Sequence, residues 1–264
     1  MSCDLQVQLP VFDPLYQCTE FPLTIRLFPL GFPVDVTTNA ERVIECARER
    51  WGSYPRLFDE PPLQLRVLVV SGGSPEPVVA EPVIRARDHL FSICCDRENS
   101  AVCDFKSGVA CAWLNDAVAS KPDYLGYFIL DTMAYATLTS RHLTGVHAAC
   151  VAIDGRALLL CGPSGAGKTC LAYACARRGF TLVSDDASSL VRRRRDRAIV
   201  GKPTQFRFRD TAAGILPELQ GMLPKTSMNG KPTIEIRVEQ LPDIRTQFLA
   251  QAAALVLIDR GASG

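Results

Sequence analysis

The residues with the plainest chemical meaning are Gly162-Pro163-Ser164-Gly165-Ala166-Gly167-Lys168-Thr169, which match the pattern G-x-x-x-x-G-K-[ST] in full. Glycines at this spacing let backbone N–H groups turn inward around phosphate oxygens, where a side chain would intrude. The lysine can bridge the terminal phosphates, and the hydroxyl that follows can ligate Mg²⁺. Across 264 residues, a chance match is on the order of one per cent at average residue frequencies. These eight residues are therefore read as the binding loop for a nucleoside triphosphate. No Asn-Lys-x-Asp guanine-reading motif and no Leu-Ser-Gly-Gly segment occurs, so a regulatory GTPase and an ABC-type ATPase are not expected.

The neighbours of the loop supply candidate partners. Residues 146–153 and 156–161 are apolar and separated by Asp154-Gly155, a strong signal for a two-residue hairpin. Pairing Ile153 with Arg156 puts His147 opposite Gly162, at the mouth of the loop. Residues 169–178 read as the helix leaving the loop, with Gly179 as its stop and Arg177 and Arg178 at its negative end. Residues 180–184 form the next strand, ending in Asp185-Asp186. A right-handed crossover sets that strand parallel to residues 157–161, its carboxyl end beside the loop, where open α/β sheets bind ligands. Successive strand residues point to opposite sides, so one aspartate can serve the metal while the other faces an acceptor hydroxyl.

Over residues 145–203 the chain resembles the HPr kinase/phosphorylase family. The resemblance rests on Val146-His147-Ala148, the glycine loop, Arg178-Gly179-Phe180 and Ser184-Asp185-Asp186, in the family's order and spacing. It implies an α/β fold with a P-loop kinase core of the HPr kinase/phosphoenolpyruvate carboxykinase type. It also implies an ATP-dependent phosphotransferase that phosphorylates a serine of a protein or peptide substrate, with ATP and Mg²⁺ as cofactors. Carried over, Lys168 and the loop hold the triphosphate, and Thr169 with Asp186 serves the metal. Asp185 acts on the hydroxyl proton, with His147 nearby. The Glu-x-Arg-Gly signature of the bifunctional members is broken here, since Val238 follows Glu235-Ile236-Arg237. A kinase for a small-molecule hydroxyl and a non-catalytic ATP sensor would use the same loop and remain open.

The elements ahead of this core read as a smaller mixed α/β region over residues 1–121, with the kinase-like domain over 122–264. Strand-like residues 23–36 precede a helix at 40–51, whose apolar face is Ala40, Val43, Ile44, Ala47 and Trp51, with Thr38 or Asn39 as its cap. Residues 63–70, 91–95, 101–105 and 109–113 read as strands, 71–82 as a loop and 124–140 as a buried helix. Arg192–Arg195 and Arg197 read as the tip of a hairpin.

Composition bounds the rest. Apolar residues make up 47% and charged ones 22%, the mix of a globular chain rather than a disordered one. Twenty-nine Lys+Arg against 28 Asp+Glu give a net charge of +1, which offers no field for nucleic acid or an anionic membrane. No apolar run reaches the length of a membrane span, and Met1-Ser2-Cys3-Asp4 lacks the character of a signal peptide. A cytoplasmic protein is expected, with a homo-oligomer left open. Eleven cysteines, an odd number without C-x-x-C spacing, are read as reduced thiols acting as small hydrophobes.

Overall fold

A computed structural model describes residues 13, 19–72, 81–226 and 232–259. The chain is mixed α/β with several sheets and divides into two compact units, Met1–Arg141 and His142–Gly264. The division falls beyond the expected 121/122 boundary, because the helical stretch after residue 121 packs within the first unit. Trp51 Nε1 donates to Asp131 Oδ1 at 2.9 Å, and Arg50 pairs with the other oxygen of that carboxylate. These partners are some eighty positions apart in sequence, so local patterning could not reveal them.

The first unit comprises β1 (Leu23–Leu27), β2 (Val34–Thr38), α1 (Glu41–Trp51), β3 (Leu63–Val70), β4 (Val83–Arg87), β5 (Leu90–Cys94), β6 (Ser100–Asp104) and β7 (Val109–Asn115). Then come α2 (Asp116–Ala119), α3 (Pro122–Tyr124), a π-helical segment Leu125–Asp131 and α4 (Thr132–Arg141). Its sheet runs β1-β2-β3-β7-β6-β5-β4, parallel only at β2–β3 and β3–β7. The expected cap of α1 is corrected. Ala40 occupies that position, and Asn39 instead exchanges two hydrogen bonds with the backbone of Val69 on β3. β4 gives no alternation because all of its residues are exposed. Most of the expected 71–82 loop lies outside the described residues.

The second unit comprises β8 (Leu143–Ile153), β9 (Arg156–Cys161), α5 (Lys168–Arg177), β10 (Thr181–Ser184), β11 (Ala187–Val191), β12 (Ala198–Gly201), β13 (Gln205–Arg209), β14 (Lys225–Thr226), β15 (Pro232–Arg237) and β16 (Leu249–Leu257). Asp154 and Gly155 both have positive φ, 49° and 75°, as the tight β8–β9 turn requires. The pairings β8–β9, β9–β16, β16–β12, β12–β11 and β11–β8 close a ring of five strands, parallel only at β9–β16. Side-chain alternation sorts the two faces of β8. Ala148, Cys150 and Ala152 pack with Ala157, Leu159, Val183, Ile199 and Ala250. Ala149 and Val151 face a second core with Ala172, Tyr173 and Ala176 of α5 and Phe206, Phe208, Ile234 and Ile236 of the β13-β15-β14 sheet. β12 of the ring approaches β10 closely, since a Cβ at Gly201 would lie 2.2 Å from the Val183 carbonyl oxygen.

β10 runs in the same direction as β9, but β8 lies between them and is antiparallel to both. The Arg192–Arg195 and Arg197 run joins β11 to β12, whose register pairs Leu190 with Ile199. Among the described cysteines only Cys94 is exposed, and burial pushes the Cys150 thiol up to about 12. No helix among the described residues is long and apolar enough to cross a membrane.

Candidate active site

The glycine loop leaves the end of β9 and enters α5 at Lys168. Gly165 and Gly167 hold φ of 91° and 101°, a conformation that side chains with a Cβ rarely adopt. Lys168 is 6% exposed, and its ammonium donates to the Gly162 and Pro163 carbonyls at 2.9 and 3.3 Å. The lysine charge is thus held against the start of the loop at the N-terminus of α5, where helix N–H groups add to the attraction for an anion.

Ile153 pairs with Arg156 and Ala148 with Cys161, so His147 stands one step further, level with Gly162. On its other edge β8 meets β10 and then β11, with Ser184 opposite Cys150 and Ala187 opposite His147. Asp185-Asp186 occupies the break between those two strands, at the same height as the loop mouth. Ser184 and Ser188, each 1% exposed, bridge this break through hydroxyls 2.6 Å apart, and Ser188 also donates to the Ala148 carbonyl at 3.0 Å.

The two aspartates have opposite environments. Asp185 is 7% exposed, and its Oδ2 accepts the Arg207 amide at 2.7 Å. Its buried Oδ1 has no hydrogen-bond partner among the described residues. Burial raises its pKa from 3.8 to about 7, against the Arg207 amide and the Thr169 hydroxyl, which pull it back, and with Asp186 adding to the rise. Asp186 is exposed, its Oδ1 3.4 Å from His147 Nδ1. Asp185 interacts with Thr169, and Asp186 with His147.

An unpaired buried carboxylate oxygen beside a threonine hydroxyl is a hard-oxygen donor set that fits Mg²⁺. That ion is usually held by one or two carboxylates together with substrate phosphates rather than by an all-protein cage. Among the described residues no cluster of three or more His, Cys, Asp or Glu forms such a cage.

Sequence reasoning missed two features. The Ser184–Ser188 bridge has no local signature. Arg209, at the end of β13, donates through Nη2 to Ser164 Oγ at 2.7 Å. The Phe206/Phe208 alternation that places its strand was present in the sequence, but nothing local connects it to the loop.

The second unit thus carries a strand–glycine loop–helix arrangement flanked by two aspartates and a histidine. No protein-family profile matches the chain, and no curated protein matches it. Among solved structures, it is similar to the Hpr(Ser) kinase/phosphatase from Coxiella burnetii. That similarity is 18% identity over 46% of this chain and 69% of the other, with a TM-score of 0.32. A likeness this slight carries no argument, and the functional reading rests on the site.

Proposed function

We propose that the second unit is an ATP- and Mg²⁺-dependent kinase that transfers the γ-phosphate to a hydroxyl, a serine of a protein or peptide. The observation that carries this reading is the unpaired Asp185 Oδ1, buried beside the Thr169 hydroxyl that follows the loop lysine. A P-loop core of the HPr kinase/phosphoenolpyruvate carboxykinase type is part of the same proposal. Its support is the order of His147, the loop and the aspartate pair.

The backbone N–H groups of the loop and the Lys168 ammonium hold the phosphates. Thr169 and Asp185 would hold Mg²⁺, which would supply positive charge to offset that of the phosphates. Asp186 and His147 are exposed and in reach of an incoming side chain, so the acceptor falls to them. This reverses the two aspartate roles that the family resemblance implies. As the acceptor oxygen bonds to phosphorus and the bond to ADP breaks, the hydroxyl proton passes to the His147 imidazole, oriented by Asp186. Such catalysis is mostly positioning and charge stabilisation.

The test is single-turnover transfer from γ-labelled ATP to a serine-containing peptide library, parent against Asp186→Asn. Transfer by the parent and a loss of about 10²-fold in the variant are expected. Binding of ATP by the parent without transfer to any hydroxyl would leave a nucleotide sensor in place of the kinase.

A further inference from the structure

Arg209 is the second cation on the phosphate loop. Its strand β13 is fixed from both sides. Phe206 and Phe208 are buried to 0% and 1% exposure and meet the Tyr173 ring of α5 edge-on at 5.2 and 5.4 Å. The Arg207 amide is bonded to Asp185. The strand that clamps the buried aspartate therefore also delivers Arg209, which lies against residues Ser164 and Gly165. A Cβ at Gly165 would stand 3.2 Å from Arg209 Nη1, so the absence of a side chain there leaves room for the guanidinium.

Among the described residues the charge of Arg209 is otherwise unanswered. Arg207, two residues earlier, pairs with Glu235 at 2.8 Å, whereas Arg209 has no carboxylate within ion-pair distance among the described residues. A serine hydroxyl is a neutral partner. Hydrogen bonds between a guanidinium and a phosphate are charge-assisted and roughly twice as strong, and the planar fork can bind two oxygens at once.

We infer that Arg209 is an arginine finger supplied by the chain itself, which leaves Ser164 to engage the γ-phosphate of the bound triphosphate. The inference rests on the nucleotide reading above and adds a residue to it. Lys168 answers the phosphates from the helix end of the loop, and Arg209 answers the terminal one from outside. As the bond to the leaving ADP breaks, negative charge spreads over the γ-phosphoryl oxygens, and a fixed guanidinium stabilises it.

The experiment compares binding of Mg·ADP and of a non-hydrolysable ATP analogue by calorimetry for the parent, Arg209→Ala and Arg209→Lys. A lost charged hydrogen bond should weaken the analogue by roughly 10–100-fold, with ADP changed by less than about twofold. Lysine, a point charge without the fork, should restore only part of the loss. Equal losses for both nucleotides would show that Arg209 only braces the loop, and no loss for either would show that it is idle. Both outcomes overturn the inference while leaving nucleotide binding intact. Failure of the parent to bind either nucleotide would instead remove the reading beneath it.

Discussion

Replacing Asp185 with asparagine should change how stability depends on pH. Asp185 titrates at about 7 instead of 3.8, chiefly because burial penalises its charge. In the unfolded chain the carboxyl gives up its proton near 3.8, and in the folded chain it keeps it until about 7. Between those values the folded state binds more protons, so stability falls as pH rises, and the penalty is complete above pH 7. Each pH unit is worth about 1.4 kcal/mol, so between about pH 5.5 and 8.5 the parent should lose about 2 kcal/mol through this group. Asparagine keeps an oxygen for the Arg207 amide and has no charge to bury. The Asp185→Asn protein should therefore lack that loss, and its melting midpoint relative to the parent should rise by on the order of 5 °C across the interval. The assay is calorimetric melting of both proteins at the two pH values, with chelator present. Mg²⁺ added at the higher pH should stabilise the parent and leave the variant unmoved. Parallel pH profiles would refute the reasoning, because they would mean that the Asp185 charge is not desolvated.

Other expectations bear on separate parts of the molecule. On the proposed function, Lys168→Ala removes a point charge beside the terminal phosphates and should weaken ATP more than AMP in calorimetry; equal affinity of variant and parent for ATP contradicts the loop assignment. In Gly201→Ala the new methyl meets the Val183 carbonyl oxygen and the Ser184 Cβ at 2.2 and 2.7 Å. A loss of about 1–3 kcal/mol is expected in urea unfolding, and an unchanged midpoint would show that β10 and β12 yield there. Asp131→Ala strands the Arg50 charge and the Trp51 indole N–H and should cost the first unit about 3–5 kcal/mol, read by tryptophan fluorescence. A milder loss in Asp131→Asn would confirm that the charge matters beyond the hydrogen bond.

What the sequence disclosed was local. The loop, its helix and the β8–β9 register were legible because glycine spacing, an Asp-Gly turn and two-residue alternation act over a few positions. That register brings His147 level with Gly162. The aspartate pair was legible as a strand end, but which carboxylate turns inward depends on the Arg207 amide, twenty-two positions away. The same holds for Arg209 and Ser164, joined across forty-five positions. The domain boundary fell short for a related reason: an apolar helix declares that it is buried, not which unit buries it. β4 stayed hidden because a strand exposed along its whole length carries no pattern.

One strand acts as a ruler for the whole site. β8 is eleven residues long and is read along 148–153 by β9, along 150–152 by β10 and along 143–147 by β11. Changes in chain length therefore have unequal effects at the two hairpin turns. One residue more or fewer at Asp154-Gly155 would slide β9 by a notch of about 3.3 Å and turn its side chains to the wrong faces. Gly162 would then be out of step with His147, while Asp185 and Asp186 kept their places. At the arginine turn after Val191 the same change falls beyond the last pair with β8, Val191 with Leu143, and leaves every graduation at the loop mouth where it was. Functional versions of this unit should vary in length at the second turn and hold it fixed at the first.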